Sequence, residues 1–173
     1  MKNILILCFL ITFLGFSQTK KTTFPEDFFG KYKGKLTITN SNGSQEIDME
    51  FHLLPTDTLG KYHYVIIYKS DKINQERKYT LLEKDKTKGQ YVVDENNGIL
   101  LNTTLANNAL YSIFEVQGGL LTTTEHFYDD YMDFEIMYSL KEKVEKSGNT
   151  DEETPEVLSY PVISVQKAKL YKE

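Results

Sequence analysis

The sequence predicts an all-β fold, a single antiparallel meander barrel of eight to ten strands. Apolar and polar residues alternate with a period of two in almost every segment, as in strands that bury one face. Turn-forming residues separate these segments at hairpin spacing, and no segment has the period of a long helix. Because a meander must hide its edges, a closed barrel is favoured over a two-sheet sandwich, which usually requires longer crossing connections.

Length and composition exclude several classes of protein. The 173 residues suit one domain, and an aromatic content of 13% argues against a disordered chain. The net charge of -5 does not favour a nucleic-acid-binding protein. The single cysteine, Cys8, excludes a disulfide framework.

The amino terminus is typical of a cleaved secretory signal. Lys2 precedes an apolar run over residues 4–16, and Gly15 and Ser17 place small residues where a signal peptidase cuts. We therefore expect a signal peptide over 1–17 and a barrel domain over 18–173. The run is shorter than a bilayer span, so we expect no transmembrane segment in the mature chain and a periplasmic or secreted destination.

Ten strands are predicted along the mature chain. The first two are the clearest, because Tyr32 and Leu36 alternate with lysines and threonines before the turn at Asn42-Gly43. One helical turn is predicted at 24–29. The predicted strands are 32–39, 46–53, 62–69, 77–83, 91–95, 99–105, 110–116, 120–128, 132–140 and 162–171.

The connection over 141–156 differs from the short turns elsewhere. Nine of its sixteen residues are charged, and it has no apolar period. We expect a solvated, mobile loop, with a lid over the open end of the barrel as the alternative.

The segment Phe28-Phe29-Gly30-Lys31-Tyr32-Lys33-Gly34 follows the predicted helical turn and begins the first strand. It resembles the opening of calycin-type barrels, which include lipocalins, fatty-acid-binding proteins, avidins and nitrobindin-like proteins. The resemblance implies that Gly30 and Tyr32 form a plug at one barrel end. It also implies a ligand cavity inside the barrel.

The alternation predicts which side chains line that cavity. Tyrosine hydroxyls and one guanidinium on apolar walls could hold a small amphipathic molecule, and the guanidinium could pair with a carboxylate. The alternative is a filled core in which the tyrosines only pack. The predicted ligand-binding residues are Tyr62, Tyr64, Tyr68, Arg77 and Tyr138.

No catalytic or metal-binding motif stands out. The three histidines fall on different strands, and the acidic segment 129–135 lacks the spacing of a calcium loop. No nucleophile motif is present. We therefore predict no catalytic residues, no metal and no cofactor.

The leading functional prediction is an exported, lipocalin-like binding protein that holds a small hydrophobic or amphipathic ligand in the barrel. The alternative is a cell-envelope interaction module with a filled core and no small-molecule ligand. Such a module could use the outer face of the second strand, where Glu46, Asp48, Glu50 and His52 could meet a basic partner. An enzyme is the least supported class.

Overall fold

The predicted all-β barrel is confirmed. The computed structural model describes residues 22–148 and 154–173, so the predicted signal peptide lies outside the described residues. Ten antiparallel strands close one barrel, and the order of strands around it is that of a meander. They are β1 (Gly30–Asn40), β2 (Gly43–Pro55), β3 (Lys61–Lys69), β4 (Asn74–Asp85), β5 (Gln90–Asp94), β6 (Leu100–Ala106), β7 (Ala109–Val116), β8 (Gly119–Phe127), β9 (Tyr131–Leu140) and β12 (Val162–Lys172).

The first and last strands complete the barrel. β1 pairs with β2 on one side and with β12 on the other, from Tyr32 opposite Lys172 to Asn40 opposite Ser164. This pairing removes the two edges that an open meander would expose.

Two-residue turns fix the register of the hairpins. Asn107 and Asn108 between β6 and β7, and Gln117 and Gly118 between β7 and β8, all have positive φ. Two consecutive positive φ angles match the right-handed twist of paired strands, and asparagine and glycine tolerate them best.

Aromatic side chains close one end of the barrel. A 3₁₀ turn, Glu26–Phe28, precedes β1, as the sequence predicted. Tyr32 is 0% exposed, and its hydroxyl donates a hydrogen bond to the Phe28 carbonyl oxygen over 2.6 Å. The Phe127 ring lies 6.1 Å from that of Tyr32 and 5.7 Å from that of Phe28. A Cβ at Gly30 would meet the Lys172 side chain, so the glycine permits close packing there.

The charged connection contains more regular structure than the sequence predicted. Its start forms a 3₁₀ turn, Lys141–Lys143, and β10 (Glu145–Ser147) pairs with β11 (Val157–Ser159) in a separate two-stranded sheet. All six strand residues are exposed. With neither face buried, no apolar alternation could mark these strands. Residues 149–153 lie outside the described part.

Among the described residues, no helix has the length and apolar character needed to cross a membrane.

Replacing Tyr32 by phenylalanine tests the closed end. Tyr32→Phe removes a buried hydroxyl and leaves the Phe28 carbonyl without this donor, which we expect to lower the free energy of unfolding by about 1–2 kcal/mol. Urea titration measures the change. Tyr171→Phe, at an exposed position, is the control. Equal stability of the two variants would contradict the assigned role of the hydroxyl.

Candidate functional site: an interior cavity with a buried glutamate

A cavity of about 220 Å³ lies inside the barrel, beyond the aromatic cluster that fills the closed end. The apolar residues that line the cavity include Ile66, Val93, Leu101, Leu121 and Ile136. The polar residues that line it are Tyr64, Tyr68, Arg77, Tyr79, Glu95, Ser112, Thr123 and Glu125.

The strand register explains why an arginine lies in this wall. Arg77 on β4 is opposite Ile66 on β3, and directly opposite residues of an antiparallel pair project to the same side of the sheet. The Arg77 guanidinium carbon lies 5.2 Å from the centre of the Tyr68 ring, and Nη2 donates to Gln75 Oε1 over 3.3 Å. Arg77 is therefore held at the cavity wall by a cation–π contact and a hydrogen bond.

The structure brings three of the five predicted lining residues together. Tyr64, Tyr68 and Arg77 all border the cavity. Tyr62 instead lies nearer the closed end, where its hydroxyl donates to Glu83 Oε2 over 3.1 Å and its ring lies 5.8 Å from that of Phe29.

Tyr138 is the second predicted residue outside the cavity. It borders a surface depression between Asn40 and Ser164, at the open rim of the barrel. Alternation assigns a side chain to the inner face, but the height of the side chain along the barrel depends on the register around the whole sheet.

Glu125 is a cavity residue that the sequence analysis missed. It is 2% exposed and lies in β8, opposite Leu110 on β7 and Phe134 on β9. The sequence pattern does indicate it, because the alternation that places His126 on the outer face of β8 places Glu125 on the inner face. Indeed His126 stacks on Tyr128, with the ring centres 4.4 Å apart.

Burial dominates the electrostatics of Glu125. Desolvation raises the pKa of its carboxyl to about 7, while hydrogen bonding by the Tyr64 and Thr123 side chains acts in the opposite direction and is weaker. Among the described residues, no basic side chain forms an ion pair with it. The acid therefore changes charge near neutral pH inside the barrel.

The neighbouring tyrosines remain hydrogen-bond donors. Burial raises the pKa of Tyr64 well above its usual value and that of Tyr68 to about 12. The Tyr64 ring stacks on Tyr79 at 6.3 Å and meets the edge of Phe51 at 4.8 Å. These contacts hold aromatic rings and protonated hydroxyls beside Glu125.

The cavity has one wall without a continuous backbone ladder. β6 and β7 pair only from Thr104 opposite Tyr111 to Ala106 opposite Ala109, although β7 pairs with β8 along its whole length. Where the ladder stops, Thr103 Oγ1 and Ser112 Oγ share a buried hydrogen bond of 2.7 Å.

Beyond that hydrogen bond the two strands border the cavity from both sides through Leu101 and Phe114. Leu100 and Ile113, on the outside, are 61% and 72% exposed. The part of β6 and β7 beyond the end of their ladder therefore adjoins the cavity and has apolar side chains on both faces of the sheet.

The described residues contain no group of three or more side chains suited to holding a metal ion. The His52 side chain instead contacts an acid: the His52 Nε2 atom lies 3.1 Å from the Glu50 Oε2 atom.

The similarity of this chain to known proteins is a similarity of fold. No family model matches the chain, and no curated protein sequence does. A similar solved structure is the crystal structure of a protein of unknown function from the DUF3598 family of Nostoc punctiforme, with a TM-score of 0.61 and 9% sequence identity. The alignment covers 86% of this chain and 48% of that protein, so the present chain spans about half of its length.

The buried acid predicts a specific dependence of stability on pH. Because folding raises the pKa of Glu125 to about 7, its contribution to stability is complete at acid pH and is lost as pH rises through 7. Glu125→Gln removes this loss, so we expect it to raise the free energy of unfolding at pH 8 by about 3 kcal/mol, and by much less near pH 5.

Thermal and urea unfolding between about pH 5 and pH 8 measure this difference. Glu142→Gln, at an exposed acid, should leave the pH profile unchanged. If Glu125→Gln and the wild type have parallel profiles, Glu125 does not titrate in this interval.

Proposed function

We propose that this chain is an exported binding protein that holds a small amphipathic molecule in the barrel cavity. The observation that carries the proposal is the Glu125 carboxyl, which is buried in an interior cavity beside tyrosine hydroxyls and has no basic partner among the described residues. An unpaired acid inside a barrel lowers stability, and groups retained at such a cost are concentrated at functional sites.

The size of the cavity limits the ligand. An apolar cavity of about 150 Å³ can hold benzene, so about 220 Å³ suits one ring with a short polar substituent. A second cavity of about 290 Å³ shares Tyr68, Arg77, Leu121 and Ile136 with the first. Movement of these shared side chains would join the two spaces and admit a longer molecule.

The signal-like segment 1–17 supports export to the periplasm or the extracellular space. The resemblance to calycin-type barrels supports a ligand in the interior, because those proteins enclose ligands in barrels closed at one end. The buried Tyr32 at the closed end fits that arrangement.

The outer face of β2 provides less support for an interaction module. Asp48 lies 2.6 Å from the Lys35 ammonium, and Glu50 lies 2.9 Å from that of Lys69. Glu50 also bonds His52. These local pairs neutralise much of the charge that a basic partner would recognise, so the cavity is the favoured site.

Filling the cavity tests the proposal. Leu121→Trp places an indole in the cavity wall, whereas Thr122→Trp places it on the outer face of the same strand. The chain has no tryptophan of its own, so fluorescence of the introduced indole reports whether each variant places it in an apolar or a solvated environment.

We expect mature wild-type protein and Thr122→Trp to carry extra mass in native mass spectrometry that disappears on denaturation. Leu121→Trp should carry none, because the ligand volume is occupied. Equal bound mass in both variants, or none in protein purified from its native source, would contradict a ligand in this cavity.

A further inference from the structure

The charged groups of the cavity are unevenly distributed between its floor and its mouth. Arg77 and Glu95 lie toward the open end of the barrel, near the start of β4 and just after β5. Burial raises the pKa of Tyr79, and the two charges act on the same pKa in opposite directions, Arg77 lowering it and Glu95 raising it. Within the described part of the chain, the mouth of the cavity therefore has one positive and one negative side chain in its lining.

At the floor of the cavity, the only charged group among the described residues is an acid, Glu125. Glu125 lies two residues before Phe127 of the closed end, and the groups that reach it are the Tyr64 and Thr123 side chains. Strands β7 and β9 contribute uncharged Ser112 and Phe134 to the same wall. Arg77 acts on Tyr68 and Tyr79 and is not among the groups that shift the pKa of Glu125.

A cationic ligand would supply the missing positive charge. An ammonium next to Glu125 converts an unpaired buried acid into a hydrogen-bonded ion pair, which is shorter and stronger than a neutral hydrogen bond. The rings of Tyr64 and Tyr79 line the same cavity, and aromatic rings attract cations. A ligand carboxylate at this depth would instead meet like charge.

We propose that the ligand is a small amine with an apolar body, bound as an ammonium to the Glu125 carboxylate while its body lies against Leu121 and Ile136. This inference rests on the proposed function and specifies its ligand class. Since the pKa of the unliganded carboxyl is about 7, binding of a cation draws the acid into its ionised form.

Two matched probes test whether a positive charge on the ligand strengthens binding. 2-Phenylethylamine and 2-phenylethanol have the same carbon framework. The first ends in an ammonium group and the second in a hydroxyl group. Calorimetric titration of the mature protein at about pH 8 should show the amine binding at least about tenfold more tightly than the alcohol. Below pH 7 the amine affinity should fall by about tenfold per pH unit, because Glu125 takes up a proton while the amine remains charged.

Two variants test whether the preference for the amine depends on the Glu125 carboxylate. Glu125→Gln should weaken amine binding by at least about tenfold and change alcohol binding by less than about threefold. Glu142→Gln, an exposed acid outside the cavity, should bind both probes as the wild type does. The pH dependence of the wild type tests the same carboxylate without a substitution, should Glu125→Gln fail to fold.

The two proposals fail in different ways. If the alcohol binds as well as the amine, or if amine binding does not depend on pH and on Glu125, the amine proposal is overturned. The cavity proposal still stands in that case if Leu121→Trp abolishes binding of both probes. If neither probe binds, the amine proposal is likewise overturned, and the native mass measurement decides whether the cavity carries another ligand.

Discussion

The pairing of β1 with β12 is the constraint on which the rest of the structure depends. It joins residues more than a hundred positions apart and converts a ten-strand meander into a closed wall. Closure gives each strand a defined inner face, so the period-two pattern becomes a division between interior and solvent. Without it, Tyr32 and Glu125 would lie on the face of an open sheet instead of at different depths of one enclosed space.

The interior is filled unevenly along its axis. At the closed end, rings from the 3₁₀ turn, β1, β2 and β8 pack against one another, and the Tyr32 hydroxyl satisfies the Phe28 carbonyl. Toward the open end the β6–β7 ladder stops and a cavity remains. A small barrel is usually packed by its own side chains, so the packed end accounts for much of the core and the cavity at the other end is the exception.

Glu125 is an ionisable side chain on the inner face of a strand, where the fold otherwise favours uncharged side chains. Its strand alternates as the fold requires, yet the side chain on the inner face is an acid without a cationic partner among the described residues. Such conflicts in an otherwise consistent sequence are expected at functional sites. The tyrosines beside it are held by ring contacts and keep their protons, so packing within the protein fixes the polar part of the cavity.

The sequence by itself determined the fold class, the ten barrel strands, the turns and the inner face of several strands, because alternation and turn chemistry act over a few residues. It did not mark β10 and β11, whose faces are both exposed. Only the tertiary structure decided which inner residues meet: Tyr64, Tyr68 and Arg77 share a cavity with Glu125, whereas Tyr62 and Tyr138 lie nearer the two ends. The physical reason is that the depth of a side chain depends on strand register and stagger summed around the closed barrel, which no local pattern encodes.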